Sequence, residues 1–473
     1  WLISEADESC DPVQRPCDPV PLTAMTSMRP SSNDRLSQDA LPLASPSGGK
    51  ASVASCIINL ASTCMGTGIL ALPSAYHLGG FASGTLLCIA SAGLCSLSLK
   101  LLLSSGEKVK APATFATVCE AALPNSGLLI DFAVIINCVG CAASYLIVAA
   151  DCFSALGFPR KTCVLVAILA VSPASLFRNL DTLKASSSVA ICCLIGIVLM
   201  VVVMGVVPAG SAFDPCPGVS AKVGPHGHCG GPVTWGSTAP MRVFCTLPLF
   251  VNAYTCQQNV YNAVGELANP TAARKAQVVY GSPLLPLLLY LVIASCGYLT
   301  FGDNVTSNII NAYPVTPYVS AARTVLGIVV LCNYPLQMFP TRVSMLSIYE
   351  LLVPPTDPEA LRLSQPYFEY EHRESQAHRK GVGRGSLFLQ SHREIGITVG
   401  VLFLTGFTAF SVTDLGAIVS LVGSTGATMI ALIAPAAAHL LLTRSEPWDG
   451  VKYAAAGMLI LGLLILPSKL FCE

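Results

Sequence analysis

The chain has 473 residues, 53% of them hydrophobic and only 11% charged, with a mean hydropathy of +0.64. A soluble domain carries about 25% charged residues, so this composition excludes an ordinary soluble enzyme or binding module and places most of the chain in lipid. Lys+Arg and Asp+Glu each number 26, and a formal charge of zero offers no basis for binding nucleic acid.

Residues 1–50 are polar and rich in Pro and Ser, which reads as a disordered cytosolic tail. No signal peptide is apparent in it. The first residue is Trp1 and not Met, so a truncated start is expected. Between Ala51 and Leu99 there is no Asp, Glu, Lys or Arg, and similar charge-free stretches recur towards the C-terminus. Each is long enough to cross roughly 30 Å of hydrocarbon at about 20 residues per helix. The spans fall near 52–76, 80–103, 128–150, 162–177, 184–207, 239–262, 277–301, 320–341, 395–411, 415–442 and 451–468. One apolar stretch reads equally well as a buried core helix; eleven in series do not. The expected fold is therefore an all-α polytopic membrane protein of about 11 transmembrane helices, occupying residues 51–470.

Basic residues set the expected orientation. With the N-terminus cytosolic, only Arg160, Lys161, Lys222, Arg242, Arg323 and Lys469 fall on the other side, and the remaining Lys and Arg lie inside. The non-cytosolic loop 208–238 then carries Cys216 and Cys229, candidates for a disulfide in an oxidising compartment. The next outer loop, 302–319, carries the sequon Asn304-Val305-Thr306, a candidate glycosylation site. The cytosolic loop 343–394 is long and polar and reads as a solvated linker. Most of the 20 cysteines, such as Cys56, Cys88, Cys192 and Cys193, sit inside apolar segments. There they read as small packing residues, with no metal-ligand spacing among them. Asp131, Asp151 and Asp414 lie near span edges, where a solvated carboxylate is the usual explanation, and His77 and His439 read as structural.

Two spans are interrupted. The first reads Asn59-Leu60-Ala61-Ser62-Thr63-Cys64-Met65-Gly66-Thr67-Gly68-Ile69-Leu70-Ala71-Leu72-Pro73. Gly66 and Gly68 permit a backbone break, which would leave a half-helix N-terminus at mid-membrane, a place that attracts a carboxylate. Close helix packing is an equally good reason for such glycines. The sixth span holds Pro248, which lacks a donor, followed by the polar run Asn252-Ala253-Tyr254-Thr255-Cys256-Gln257-Gln258-Asn259. Irregular backbone survives at membrane depth only inside protein or beside a cavity. Interruptions at the first and sixth of ten spans point to an inverted-repeat transporter with a midplane site and a peripheral eleventh helix.

At these residues the sequence resembles the amino acid/auxin permease family, which includes the sodium-coupled neutral and the yeast vacuolar amino acid transporters. Asn59 to Pro73 resembles the family's first-helix signature, and Ser144-Tyr145-Leu146-Ile147-Val148 with Asp151 its third-helix pattern. Ala253 to Asn259 with Glu266-Leu267 is similar to its sixth-helix motif, Tyr334-Pro335-Leu336-Gln337 with Pro340 and Arg342 to its eighth. Val422-Gly423-Ser424-Thr425-Gly426-Ala427 is similar to a stretch of the tenth. The resemblance implies a LeuT-type 5+5 inverted repeat and alternating access around a site between helices one, three, six and eight. It implies that backbone N–H groups of Gly66, Thr67 and Gly68, next to Ile69, meet the substrate carboxylate. Tyr145, Asn252, Tyr254, Thr255 and Cys256 would complete the site, with backbone near Asn252–Cys256 holding the amino group. Ser62 and Asn333 stand where the sodium-coupled branch binds its ion, with different residue types. Gln257 replaces a frequent His, and the sixth- and eighth-helix wording leans towards H⁺.

The reading is thus a secondary transporter of neutral amino acids coupled to H⁺ or Na⁺, needing no cofactor and working as a monomer in a plasma, vacuolar or lysosomal membrane. A membrane sensor that binds amino acids and signals through its tails is the alternative. A membrane enzyme would need convergent nucleophiles and carboxylates that charge-free spans do not offer.

Overall fold

The computed structural model describes residues 49–109, 113–176, 184–207, 211, 213–216, 229, 231–236, 239–353 and 392–472. The expected tail up to residue 48, most of the 208–238 loop and residues 354–391 of the cytosolic loop lie outside them. The described residues all belong to one compact unit, Pro42–Glu473. Their architecture is helical, and the strand-like pairing among them is an isolated bridge between Ala51 and Leu267.

In chain order the helices are α1 (Val53–Cys64), α2 (Gly68–Gly79), α3 (Phe81–Gly106), α4 (Phe115–Ala122), α5 (Gly127–Ser154) and α6 (Arg160–Ser175). Then come α7 (Lys184–Val206), α8 (Pro240–Ala253), α9 (Val260–Gly265), α10 (Ala272–Phe301), α11 (Ile309–Ala312) and α12 (Pro317–Leu352). The C-terminal part holds α13 (His392–Ser411), α14 (Leu415–Val422), α15 (Ala434–Leu442) and α16 (Gly450–Ile465). Two π-helical stretches, Gly423–Ala427 and Met429–Ile433, join α14 to α15 into one membrane-length rod.

Eight of the described helices or joined helices are long and apolar enough to cross a membrane, and α1 with α2, bent by 60° at their junction, makes a ninth. The other two expected spans are also helical, but α6 has 16 residues and α8 has 14, because α8 stops at the second break. Large apolar side chains such as Leu86, Leu169, Phe403 and Phe407 face outward on these helices. An apolar exterior of this kind suits lipid and not water. At 36 residues, α12 reaches about 54 Å, so the segment from 343 to 352 continues the eighth helix and is not loop.

Loops expected on the same side meet. On one face Asp151 accepts from Arg160, Asn308 and Asn311, at 3.4, 3.0 and 3.0 Å. On this face too, Phe81 and Ala82 donate to the carbonyls of Thr234 and Trp235, which satisfies two orphan N–H groups at the start of α3. Cys216 is bonded to Cys229, and Cys245 on α8 is bonded to Cys472 at the chain's end. Asn304 is exposed, its amide donating to the Cys229 carbonyl at 3.3 Å. On the opposite face Lys275 meets Glu107 at 2.9 Å, and Lys108 meets Glu446. The hydrogen bond from Lys108 holds the Glu446 carboxyl below its ordinary range.

Glycines set the tightest helix contacts. A Cβ on Gly423 would lie 1.9 Å from the Pro248 carbonyl oxygen, and one on Gly426 would lie 2.7 Å from the Ala133 oxygen. The tenth-span motif is therefore a packing device, pressing the rod against α8 and α5. Gly80 takes a left-handed backbone, at φ 86°, to turn the chain from α2 into α3.

Candidate functional site

The first break lies at Met65–Thr67. Helix α1 ends as Met65 donates to Ala61 at 3.0 Å and Gly66 to Cys64 at 2.8 Å. Helix α2 then starts, with Leu70 donating to Thr67 at 3.1 Å. The N–H groups of Thr67, Gly68 and Ile69 find no acceptor among the described residues, yet all three residues are buried. Three orphan donors at a helix N-terminus, removed from water, form a ready site for an anion. The cradle is shifted by one residue from the expected one, because the Gly66 amide is already used.

Neither Gly66 nor Gly68 has a positive φ; what they provide is room. A Cβ on Gly66 would meet the Tyr145 hydroxyl at 3.5 Å, and one on Gly68 would meet Ala253 at 3.4 Å and the Asn252 amide nitrogen at 3.7 Å. Tyr145 of α5 and Asn252 of α8 thus border the break from two sides. The Tyr145 oxygen accepts from Gln337 Nε2 at 3.4 Å, which leaves its own proton free to donate towards the break. Gln337 lies one turn beyond Asn333 on α12, in the eighth-helix motif, and its role was hidden because an amide in a long apolar helix reads equally as interhelical glue.

The second break begins at Tyr254. The backbone carbonyls of Val251, Asn252, Ala253, Tyr254 and Cys256 all accept hydrogen bonds already. The free side-chain acceptors here are Asn252 and Gln258, whose buried Oδ1 and Oε1 have no partner among the described residues. Backbone from Asn252 to Cys256 is thus mostly committed, and these two amide oxygens remain to accept from a donor.

Tyr254 and Cys256 turn to α3. The Tyr254 hydroxyl is 3.3 Å from Cys88 Sγ, its ring packs edge-on against Tyr290 at 5.1 Å, and Cys256 Sγ is 3.9 Å from Cys95 Sγ. Thr255 turns its hydroxyl to the Val251 carbonyl at 2.9 Å. These contacts run to α3, α10 and α8, and none of them reaches Gly66 or Tyr145. Of the expected ion ligands, the Ser62 hydroxyl donates to the Asn59 carbonyl of its own helix at 2.7 Å. Asn333 is half-buried on α12, beside Tyr334, whose hydroxyl pairs with Thr405 at 2.7 Å.

The two breaks are tied together by side chains from elsewhere. The Tyr290 hydroxyl, on α10, reaches the carbonyls of both Cys64 and Ala253. Asn259 donates to Thr63 at 3.3 Å, joining the sixth-span motif to the first. A lone tyrosine in an apolar run was the available signal for Tyr290, since a buried phenol needs a partner.

A family model described as "Transmembrane amino acid transporter protein" matches residues 49–468. The chain is 28% identical to vacuolar amino acid transporter 6 of Saccharomyces cerevisiae over 451 residues, which is 88% of this chain and 97% of the relative. It is 27% identical to vacuolar amino acid transporter 5 of Schizosaccharomyces pombe, over 88% of this chain and 93% of that one. Among solved structures, a Na⁺-coupled sialic acid symporter in a substrate-bound outward-open state superposes with a TM-score of 0.51. That match has 10% identity and covers 90% of this chain and 91% of the other, so it speaks for a shared LeuT-like fold. With broken first and sixth spans meeting at a buried donor cradle, and the family model spanning nearly all of the helical region, the chain belongs to the transmembrane amino acid transporter family.

Proposed function

We propose that the protein moves neutral amino acids across its membrane by alternating access, driven by an H⁺ or Na⁺ gradient. One observation carries the substrate class: three buried N–H groups without acceptors lie at a break that Tyr145, with a phenol proton to donate, and Asn252, with an unpartnered amide oxygen, both border. In this reading the substrate carboxylate accepts from Thr67, Gly68, Ile69 and the Tyr145 hydroxyl. Its ammonium group donates to Asn252 Oδ1. An α-amino acid carries both charges on groups bonded to one carbon, which suits donors and an acceptor that border the same break. Side-chain selection falls to the remaining walls of the site.

The printed names of the yeast relatives support a vacuolar membrane. The sidedness of the basic residues supports a cytosolic N-terminus, with both disulfides on the non-cytosolic face. Ser62 and Asn333 offer oxygens suited to a hard cation; the motif wording favours H⁺.

Purified protein in sealed vesicles tests this directly. Labelled neutral amino acids are offered under a pH gradient, a Na⁺ gradient or neither. Saturable uptake stimulated by one gradient is expected; no gradient-stimulated flux of any amino acid overturns the proposal.

A further inference from the structure

Cys64, Cys95 and Cys256 are far apart in the chain, but their sulfurs lie within 4.8 Å of one another and all three residues are buried. Cys64 closes α1, Cys95 lies on the unbroken α3, and Cys256 lies in the second break. We propose that these three thiols form a binding site for a thiophilic d¹⁰ cation such as Zn²⁺ or Cd²⁺.

The geometry suits a metal. Metal–sulfur bonds of about 2.3 Å place sulfurs roughly 3.8–4.0 Å apart in tetrahedral or trigonal coordination, and Cys95 and Cys256 already stand 3.9 Å apart. The sulfurs are held in place by their neighbours: Cys95 donates to the Tyr254 carbonyl at 3.3 Å and receives Gln257 Nε2 at 3.7 Å. Gln257 also accepts from the Cys256 amide at 2.8 Å, which fixes the turn that carries the third thiol. A small cavity lined by Cys95, Tyr254 and Gln257 adjoins one member of the trio, Cys95.

Three buried thiols without a metal are ordinary packing residues, and sulfurs in simple contact need not surround a common point. Here each comes from a different element, and an ion between them completes a bond network where the helices are broken. Coordinating thiols bind as thiolates, so a divalent ion displaces three protons and leaves a unit of net charge −1, which the Gln257 Nε2 donor to Cys95 helps to hold. Bound metal would tie the end of α1 and the second break to α3.

The test uses purified full-length protein with Cd²⁺ as the probe, read by thiolate-to-metal charge-transfer absorption and by thermal unfolding. The wild type is expected to bind one Cd²⁺ at this site and to unfold at a higher temperature with it. Cys95→Ser should weaken that binding at least tenfold and abolish the thermal shift, whereas Cys138→Ser, a buried thiol outside the trio, should leave both unchanged. Should Cys95→Ser fail to fold, Cys64→Ala makes the same comparison. Equal binding and equal thermal shift in the trio variant and in Cys138→Ser overturn the proposal. Neither readout depends on transport, so failure here leaves the transport reading untouched.

Discussion

The Tyr290 hydroxyl lies 2.9 Å from the carbonyl oxygen of Cys64, the last residue of α1. It also lies 2.8 Å from the carbonyl of Ala253, the last residue of α8. A phenol has one proton, so a single donor serves the C-terminal ends of both broken helices. Two helix ends nearly two hundred residues apart in the chain are thus held beside one another. Removing the hydroxyl in Tyr290→Phe leaves both buried carbonyls short of a donor, at about 1–3 kcal/mol. The variant should unfold at a lower temperature than wild type in detergent, while a change of the exposed Tyr453 to Phe should not.

The cradle makes a graded prediction at Gly68. A single methyl there would sit in ordinary contact with Ala253 and Asn252, so Gly68→Ala should express and retain part of its flux. Gly68→Val adds two more carbons into the space beside the orphan N–H groups. Its flux should fall by at least about tenfold with membrane insertion intact, as checked by uptake and by surface or vacuolar abundance. Wild-type uptake by Gly68→Val would remove the carboxylate cradle from the mechanism.

In the proposed site the unpartnered Asn252 Oδ1 accepts from the substrate's ammonium group. A hydrogen bond to a charged group is worth about 1.5–3 kcal/mol. Asn252→Leu, of similar size but without the oxygen, should raise KM by about 10- to 100-fold. Substrate titration of uptake measures this, and an unchanged KM would place the ammonium group elsewhere.

Gly423 is a test of packing alone. Its hypothetical Cβ falls 1.9 Å from the Pro248 carbonyl oxygen, a backbone atom that cannot swing aside. Gly423→Ala should destabilise the protein by about 1–3 kcal/mol or more. Gly196 has nothing within 4 Å of the same added atom, so Gly196→Ala should melt like wild type.

The Cys245–Cys472 bond reports sidedness. Disulfides persist on the non-cytosolic face, so a membrane-impermeant thiol reagent should label Cys472 only from that side and only after reduction. Labelling from the cytosol of sealed vesicles would invert the proposed topology.

Membrane class, helical fold and family were legible along the chain. Those properties rest on composition, on run length against bilayer thickness, and on local motifs, all of which are readable along one dimension. The sequence also marked the two breaks, since glycine pairs and a polar run at membrane depth have local causes. It misplaced their details: Pro248 lies inside α8 and not at the break, and the Gly66 amide is spent within its own turn. Only the tertiary structure decided which polar groups stay without partners, because satisfaction of a hydrogen bond depends on what arrives from other helices. That is why Tyr254 and Cys256 turn to α3 while Gln337 reaches Tyr145. It is also why Cys64, Cys95 and Cys256, which show no spacing along the chain, converge in space.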